Sequence, residues 1–475
     1  MNPKLSKKEI ENLRKHTARE PSLAWDVLSK NEKDKVFKFA EAYKTFLDTS
    51  KTEREAVSTI LEMAQKNGFE NIDEGNSNSG KFYKIHRDKA IALGIIGKKP
   101  MADGVRIIGA HIDSPRLDLK QNPLYEETDM AFLKTHYYGG IRKYQWLARP
   151  LAIHGKIIKN DGKELNLSIG ESEDDPVFTI LDLLPHLAGK IQGDKKLSEA
   201  FEGEKLNVVV GSLPLGDKET KERFKLSILH YLYETYGMIE EDFISAEIEI
   251  VPAGNARDIG LDRSLIGAYG QDDRICAFSA LEAIREIKRP DTTSVALFFD
   301  KEEIGSEGNT GAKSRFLEEF VSDLLVKAGS DASERSLRKT LINSMALSAD
   351  VNGALDPDFQ EVHEKRNAAR LGYGVCITKF TGSGGKSGSS DASAEYMGVI
   401  RKIFNKSNVV WQTGELGKID QGGGGTIAKY LAVYGMEIVD CGPALIGMHS
   451  PLEIASKADL YMTFKANKAF FSAKG

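Results

Sequence analysis

Cysteine is nearly absent from this chain of 475 residues, which has only Cys276, Cys376 and Cys441 and no CxxC spacing. An odd, scattered set excludes a disulfide framework and a thiolate zinc site, and reads as reduced, buried thiols. Long apolar runs are missing as well. No stretch approaches the roughly 20 apolar residues that span a bilayer. The N-terminal MNPKLSKKEIENLRKH is charged throughout and has no apolar centre of a signal peptide. These absences point to the cytoplasm and away from a membrane. There is no basic excess either: Lys plus Arg is 65 against Asp plus Glu 70, a formal charge of −5. That argues against a nucleic-acid partner, which would usually need a clustered cationic face. No internal repeat is found, and DQGGGG at 420–425 lacks the G-x-x-x-x-G-K-[ST] spacing of a phosphate loop.

What is present is a globular balance, with 41% hydrophobic and 28% charged residues. The length exceeds what one core fills, so more than one domain is expected. KDKVFKFAEAYKTFLD and REAVSTILEMAQKNGF space apolar residues three and four apart, which predicts helices, with Gly68 as a stop. KFYKIHRDKAIALGIIG and GVRIIGA predict strands. From Pro115 to Pro252 the character changes: RPLAIHGKIIKNDGKELNLSIG predicts a hairpin about the turn at 160–162, LNVVVGSLPL and AEIEIVPAG predict strands, and LSILHYLYETYG a helix. After Gly270 the α/β rhythm returns, with Ile275, Phe278, Leu281, Ile284 and Ile287 on one helical stripe and SVALFFD, INSMALSAD and MEIVDCG as strands. The fold class expected is α/β. A mixed central sheet flanked by helices is built from 1–114 and 253–475, and a β-rich insertion occupies 115–252.

The polar residues sit where those strands end. GVRIIGA leads into His111-Ile112-Asp113, SVALFF into Asp300 and then Glu302-Glu303, NSMALSA into Asp350, and MEIVDCGPALIG into Met448-His449. Asp272-Asp273 opens the amphipathic helix. In open α/β sheets ligands bind at the carboxyl ends of strands, so these residues are placed to converge. Two divalent ions close together need a bridging carboxylate, and each needs a histidine and a terminal carboxylate with positions left for water and substrate. His, Asp and Glu without cysteine suit zinc, with cobalt or manganese as substitutes. A general base that is not itself a ligand completes the set, and adjacent Glu302 and Glu303 offer one residue for each task. Asp113, two residues from His111 on an extended chain, shares its face and can orient the imidazole. Singly, each piece has an ordinary structural role: Asp272-Asp273 as a helix cap, Glu302-Glu303 as an exposed loop, His449 at a turn. Their joint occurrence at strand ends favours the site.

AHIDSPRL, QDDRICAFSAL, FFDKEEIGSEGNTGA, SADVNGALDP and MHSPLEIA, in that order, make the chain resemble the aspartyl aminopeptidase and aminopeptidase I family of zinc metallopeptidases. The resemblance runs from His111 to the C-terminal AFF and implies a zinc-exopeptidase-like catalytic domain with two zinc ions per subunit. It implies that His111 and Asp350 hold one ion, Glu303 and His449 the other, that Asp272 bridges them, that Glu302 is the base and Asp113 the orienting acid. It further implies that His186, in DLLPHLA, reaches a neighbouring subunit's active site, and that Lys386 contacts substrate. The setting of Lys386, GSGGKSGSSDAS, departs from the eukaryotic aspartyl enzymes, while the family name carries a preference for acidic N-terminal residues. The glycines of DQGGGGTI would let backbone approach a bound peptide. The expected substrate is a peptide with a free N-terminus. The expected assembly is a dimer through the insertion, built up into a tetrahedral dodecamer. Two other classes remain on the residues alone: a two-metal deacylase or deacetylase, and a non-catalytic cargo-binding scaffold, whose mark would be a lost ligand or base.

Overall fold

Residues of the strand Ser294–Phe299 alternate between two cores. Val295, Leu297 and Phe299 join Phe316, Phe320 and Leu324 in one; Ala296 and Phe298 join Tyr43, Phe278 and Phe464 in the other. A period of two with both faces buried marks a strand at the centre of a layered α/β fold. The structure, a computed structural model, describes residues 5–74 and 80–474. Residues 1–4, part of the segment read as lacking a signal peptide, lie outside these, as do 75–79 and 475.

The central sheet has nine strands in the order Glu70–Asn71, Lys81–His86, Ala90–Ile95, Ser294–Phe299, Arg106–His111, Met345–Ser348, Glu437–Gly442, Val375–Thr378 and Trp411–Thr413. Four neighbours, from Ser294–Phe299 to Glu437–Gly442, run parallel, and their flanking partners run antiparallel to them. The sheet is therefore mixed, as the sequence predicts. Helices Lys30–Asp48, Glu53–Gln65, Gln271–Arg285 and Lys457–Ser472 cover one face, and Phe316–Lys327, Glu334–Ile342 and Ala428–Leu431 the other. The first two begin at capping boxes, Ser29 with Glu32 and Thr52 with Glu55, each cap contributing about 1 kcal/mol. The second ends near the expected stop, with Gly68 at φ 79°.

The helix Gln271–Arg285 departs from the single stripe that its periodicity suggests, because nearly every residue of it is buried. Ala277, Ala280 and Ala283 present little bulk, so the helix Lys457–Ser472 closes over a flank that would otherwise meet water. Asp272 and Asp273 keep non-helical dihedrals, so the regular turns start only after the two aspartates. Gly270 makes this entry possible: it has φ 71°, and a Cβ there would lie 1.9 Å from the Arg274 guanidinium.

Strands between Arg116 and Pro252 form a sheet of their own, seven strands, every pairing antiparallel, in the order Glu164–Ile169, Leu151–Ile158, Ala246–Pro252, Arg116–Glu127, Met130–Tyr138, Val208–Gly211 and Thr179–Ile180. The predicted hairpin is present, turning at Gly162 with φ 80°. LNVVVGSLPL yields only the short strand Val208–Gly211. This sheet has a separate core around Trp146, Leu151 and Ile250. Charged contacts tie it to the helices of the central sheet: His154 lies between Glu55 at 2.7 Å and Glu171 at 3.0 Å, and Arg116 between Glu53 and Glu249. A third sheet of five short strands, Arg257–Ile259, Leu265–Ala268, Glu453–Ser456, Ala444–Ile446 and Asn352–Gly353, was not foreseen. Strands of two to four residues carry too few positions to show a period. Among the described residues no helix is long and apolar enough to cross a membrane.

Candidate metal centre and substrate cavity

Parallel neighbours end on the same side of a sheet, and that side collects the acids. His111 closes the strand Arg106–His111 and stands opposite Phe299, so Asp300 and the turn Glu302–Ile304 follow directly beside it. Gly109 stands opposite Ser348, and Asp350 comes two residues later. His449 arrives differently, from the loop after Ala444–Ile446 in the small sheet. Asp272 comes from the entry to the buried helix.

The two oxygens of Asp272 face two different imidazoles. Oδ1 lies 3.2 Å from Nε2 of His111 and Oδ2 lies 3.2 Å from Nε2 of His449. Glu303 Oε2 is 3.5 Å from the same His449 nitrogen, and Glu302 Oε2 is 4.0 Å from Nε2 of His111. Three groups have ligand atoms close enough to hold a cation: His111, Asp272 and Asp350; Asp272, Glu303 and His449; and His111, Glu302 and Glu303. The neighbouring Asp273 turns elsewhere, accepting from the His111 backbone N–H at 3.3 Å.

Both histidines are held by their other nitrogen. Nδ1 of His111 faces the Asp113 backbone carbonyl at 3.1 Å and the Asp113 carboxylate at 3.3 Å. Nδ1 of His449 faces the Gly140 carbonyl at 3.0 Å. A carbonyl only accepts, so Nδ1 carries a proton in each ring, and Nε2 is the nitrogen that faces the acids. Asp113 in turn accepts from the Tyr138 hydroxyl at 2.8 Å and from the backbone N–H groups of Glu302 and Glu303 at 3.1 and 3.2 Å. Glu453 accepts from the backbone N–H of Asp272 at 3.0 Å and of His449 at 2.7 Å.

The electrostatics of this cluster call for positive charge. Burial drives the Glu303 and Asp350 carboxyls well above their ordinary range, and neighbouring carboxylates add to it. Burial likewise lifts Glu302 to about 7, with His111 opposing and Asp113 adding. Burial depresses His449, yet the charge of Glu303 and the contact with Asp272 bring it up to about 10. His111 is also held well above its usual value: its hydrogen bonds to Asp113 and Asp272 outweigh the cost of burial. Asp272 pays that same burial cost but is held low by the two imidazoles. The Glu303 Oε1 atom is buried with no hydrogen-bond partner. Two imidazoles whose Nε2 atoms face the acids, four crowded carboxylates and an orphaned oxygen fit divalent cations of the zinc type.

The cluster is the floor of a cavity of about 430 Å³. Its walls are the two glycine-rich segments, joined where Gly382 N–H donates to the Gly424 carbonyl and Gly384 N–H to the Ile419 carbonyl. Lys386, Lys418 and Lys429 line it as well. Lys386 Nζ is 2.9 Å from Asp391 and lies over the Phe380 ring. His186 is not at this cavity: it is exposed on the short helix Pro185–Ala188 of the antiparallel sheet's segment. The structure thus gathers His111, Asp113, Asp272, Glu302, Glu303, Asp350, His449 and Lys386, and leaves His186 apart. Reading the sequence did not single out Tyr138, Gly140 or Glu453. Glu453 lies within MHSPLEIA but in a strand too short to show a period, and Tyr138 and Gly140 carry no local signal.

A family model described as aminopeptidase I zinc metalloprotease (M18) matches residues 46–471. A probable M18 family aminopeptidase 1 of Clostridium acetobutylicum is 51% identical over 455 residues, covering 94% of this chain and 97% of that protein. The crystal structure of an M18-family aminopeptidase from Thermotoga maritima superposes with a TM-score of 0.92 at 47% identity, covering 96% of this chain and 99% of the other. The S. cerevisiae mApe1 dodecamer shares the fold at 23% identity, with a TM-score of 0.73 over 91% of this chain and 96% of that one.

Proposed function

The chain belongs to the aminopeptidase I zinc metalloprotease (M18) family and is a zinc metalloaminopeptidase, and from that premise we propose that its centre is dinuclear and removes N-terminal residues from peptides. In this reading His111 and Asp350 would hold one zinc, Glu303 and His449 the other, and Asp272 would be shared between them. The observation that carries it is the Asp272 carboxylate, each oxygen 3.2 Å from a different histidine Nε2. Zinc, when bound, supplies the Lewis acidity that polarises the scissile carbonyl and makes water nucleophilic near neutral pH. Glu302 takes a proton from the attacking water as the new C–O bond forms. As the C–N bond breaks, the same carboxyl returns that proton to the leaving amine. Asp113 holds the His111 ring in register. A free α-amino group would bind at this centre, which would restrict cleavage to N-termini.

The cavity wall supports a preference for acidic first residues. Lys386 is paired with Asp391, whereas Lys418 and Lys429 carry no ion pair among the described residues. Cobalt or manganese serves as a substitute metal. Three free, buried thiols fit the reducing cytoplasm. One experiment tests class and preference together: peptides beginning with Asp, Glu, Leu or Lys, free or N-acetylated, with bound zinc counted by atomic emission. We expect two zinc ions per chain, cleavage of free termini only, Asp and Glu fastest, and loss of activity on chelation. Cleavage of the acetylated set would favour the deacylase, and one zinc per chain would end the dinuclear reading.

The segment 115–252 supports assembly. Leu181, Leu184, Leu187, Ile191 and Leu197 lie exposed close together in sequence, and exposed apolar residues of this kind support a surface covered by another protein. In this proposal a second copy covers it, placing His186 near the neighbour's cavity, and dimers build a tetrahedral dodecamer. Light scattering after size exclusion would give a mass twelve times that of the chain; a monomer at micromolar concentration would sink the proposal.

A further inference from the structure

The antiparallel sheet does more than stand beside the central one, for the end of one of its strands touches the metal centre twice. Tyr138 is the last residue of Met130–Tyr138, and its hydroxyl donates to Asp113 Oδ2 at 2.8 Å. The chain then turns at Gly139, φ 74°, and the Gly140 carbonyl accepts from His449 Nδ1 at 3.0 Å. Within three consecutive residues, Tyr138 therefore contacts the partner of one histidine and Gly140 the other histidine itself. The ring of Tyr138 is fixed from behind by the Arg116 guanidinium, 3.9 Å above its centroid, and Arg116 is itself held by Glu53, Asp118 and Glu249.

We infer that Tyr138 is a positioning residue of the metal centre: its hydroxyl fixes the Asp113 carboxylate, and through it the His111 ring, in the orientation that presents Nε2 to zinc. This rests on the zinc reading of the site. Asp113 is buried and accepts from four directions: the Tyr138 hydroxyl, two backbone N–H groups and the His111 ring. The two backbone donors belong to Glu302 and Glu303, so they bind Asp113 to the turn that bears the base and a ligand. Tyr138 is the donor that comes from the other sheet. Without it, Oδ2 keeps only the Glu303 N–H at 3.2 Å, and the carboxylate is held against His111 less firmly. Partners of this kind typically contribute about 10- to 100-fold to metal affinity.

The test compares Tyr138→Phe with the adjacent Tyr137→Phe, whose ring is 45% exposed and loses the same hydroxyl. Zinc affinity is measured by competition with a chromophoric chelator, and the melting temperature is measured on metal-free protein. We expect Tyr138→Phe to weaken zinc binding about 10- to 100-fold. In the same variant kcat should fall and KM for a free peptide should stay within about twofold, while Tyr137→Phe matches wild type. In an Asp113→Asn background, the added Tyr138→Phe change should cost less than about twofold more, because it acts through the same group. Wild-type zinc affinity in Tyr138→Phe, or a full second loss in the double variant, overturns the inference. A wild-type protein that binds no zinc overturns the earlier reading instead.

Discussion

Glu302→Gln lowers turnover by about two to four orders of magnitude, the range that general-base catalysis supplies, and leaves bound zinc unchanged. Glutamine has the shape of glutamate but cannot take a proton, so the loss isolates proton transfer. Three features support Glu302 in the proposed role. Its carboxylate faces the cavity and is 4.0 Å from Nε2 of His111. Burial lifts it to about 7, so it exchanges a proton near neutral pH. Its backbone N–H is fixed to Asp113 at 3.1 Å, so its position survives the substitution. Glu303→Gln separates the two adjacent acids. Glu303 Oε2 lies 3.5 Å from His449 Nε2, so that variant should lose zinc as well as activity. The check is kcat on a free peptide together with metal content after gel filtration. A Glu302→Gln enzyme within about tenfold of wild type, well short of that range, removes the residue from the role.

The contrast between these neighbours also shows what a sequence can and cannot reveal here. The strand ends were legible because apolar runs of four to six residues stop abruptly at His111, Asp300 and Asp350, and the sheet carries those stops to one side. The antiparallel sheet was legible from its turn at Gly162 and its alternating strands. Position around the chemistry was not. Tyr138 reaches Asp113 across 25 residues, Glu453 reaches Asp272 across 181, and Gly140 reaches His449 across 309. No local period encodes such contacts; they exist only once three sheets have been assembled. The buried helix was legible as a helix but misread as one-sided, since alanine and serine say little about burial until a neighbour packs on them. His186 had no signal beyond resemblance, and its exposed place on Pro185–Ala188 leaves any role to a second subunit.

Two adjacent aspartates provide the other large effect. Asp272→Ala should strip the centre of zinc and reduce activity at least about a thousandfold, since metal Lewis acidity supplies several kcal/mol and each 1.4 kcal/mol is tenfold in rate. Asp273→Asn should keep both ions. Periodicity alone did not separate the pair, but the backbone does. Non-helical dihedrals at both residues turn the first carboxylate between the histidines and the second toward the His111 N–H and Cys276. An amide oxygen at position 273 can still accept from that N–H, whereas an alanine at 272 leaves His111 and His449 with no shared anion. Thermal denaturation reads this without any substrate. Zinc binds the folded chain, so it raises the wild-type melting temperature by mass action, and Asp273→Asn should follow. Asp272→Ala should melt at one temperature with or without zinc. Asp272 is held low by the two imidazoles, so its loss also lowers the metal-free melting temperature, and the readout is the shift that zinc produces within each variant. An Asp272→Ala protein that still binds two ions, or an Asp273→Asn protein that binds none, would move the bridge to the second aspartate.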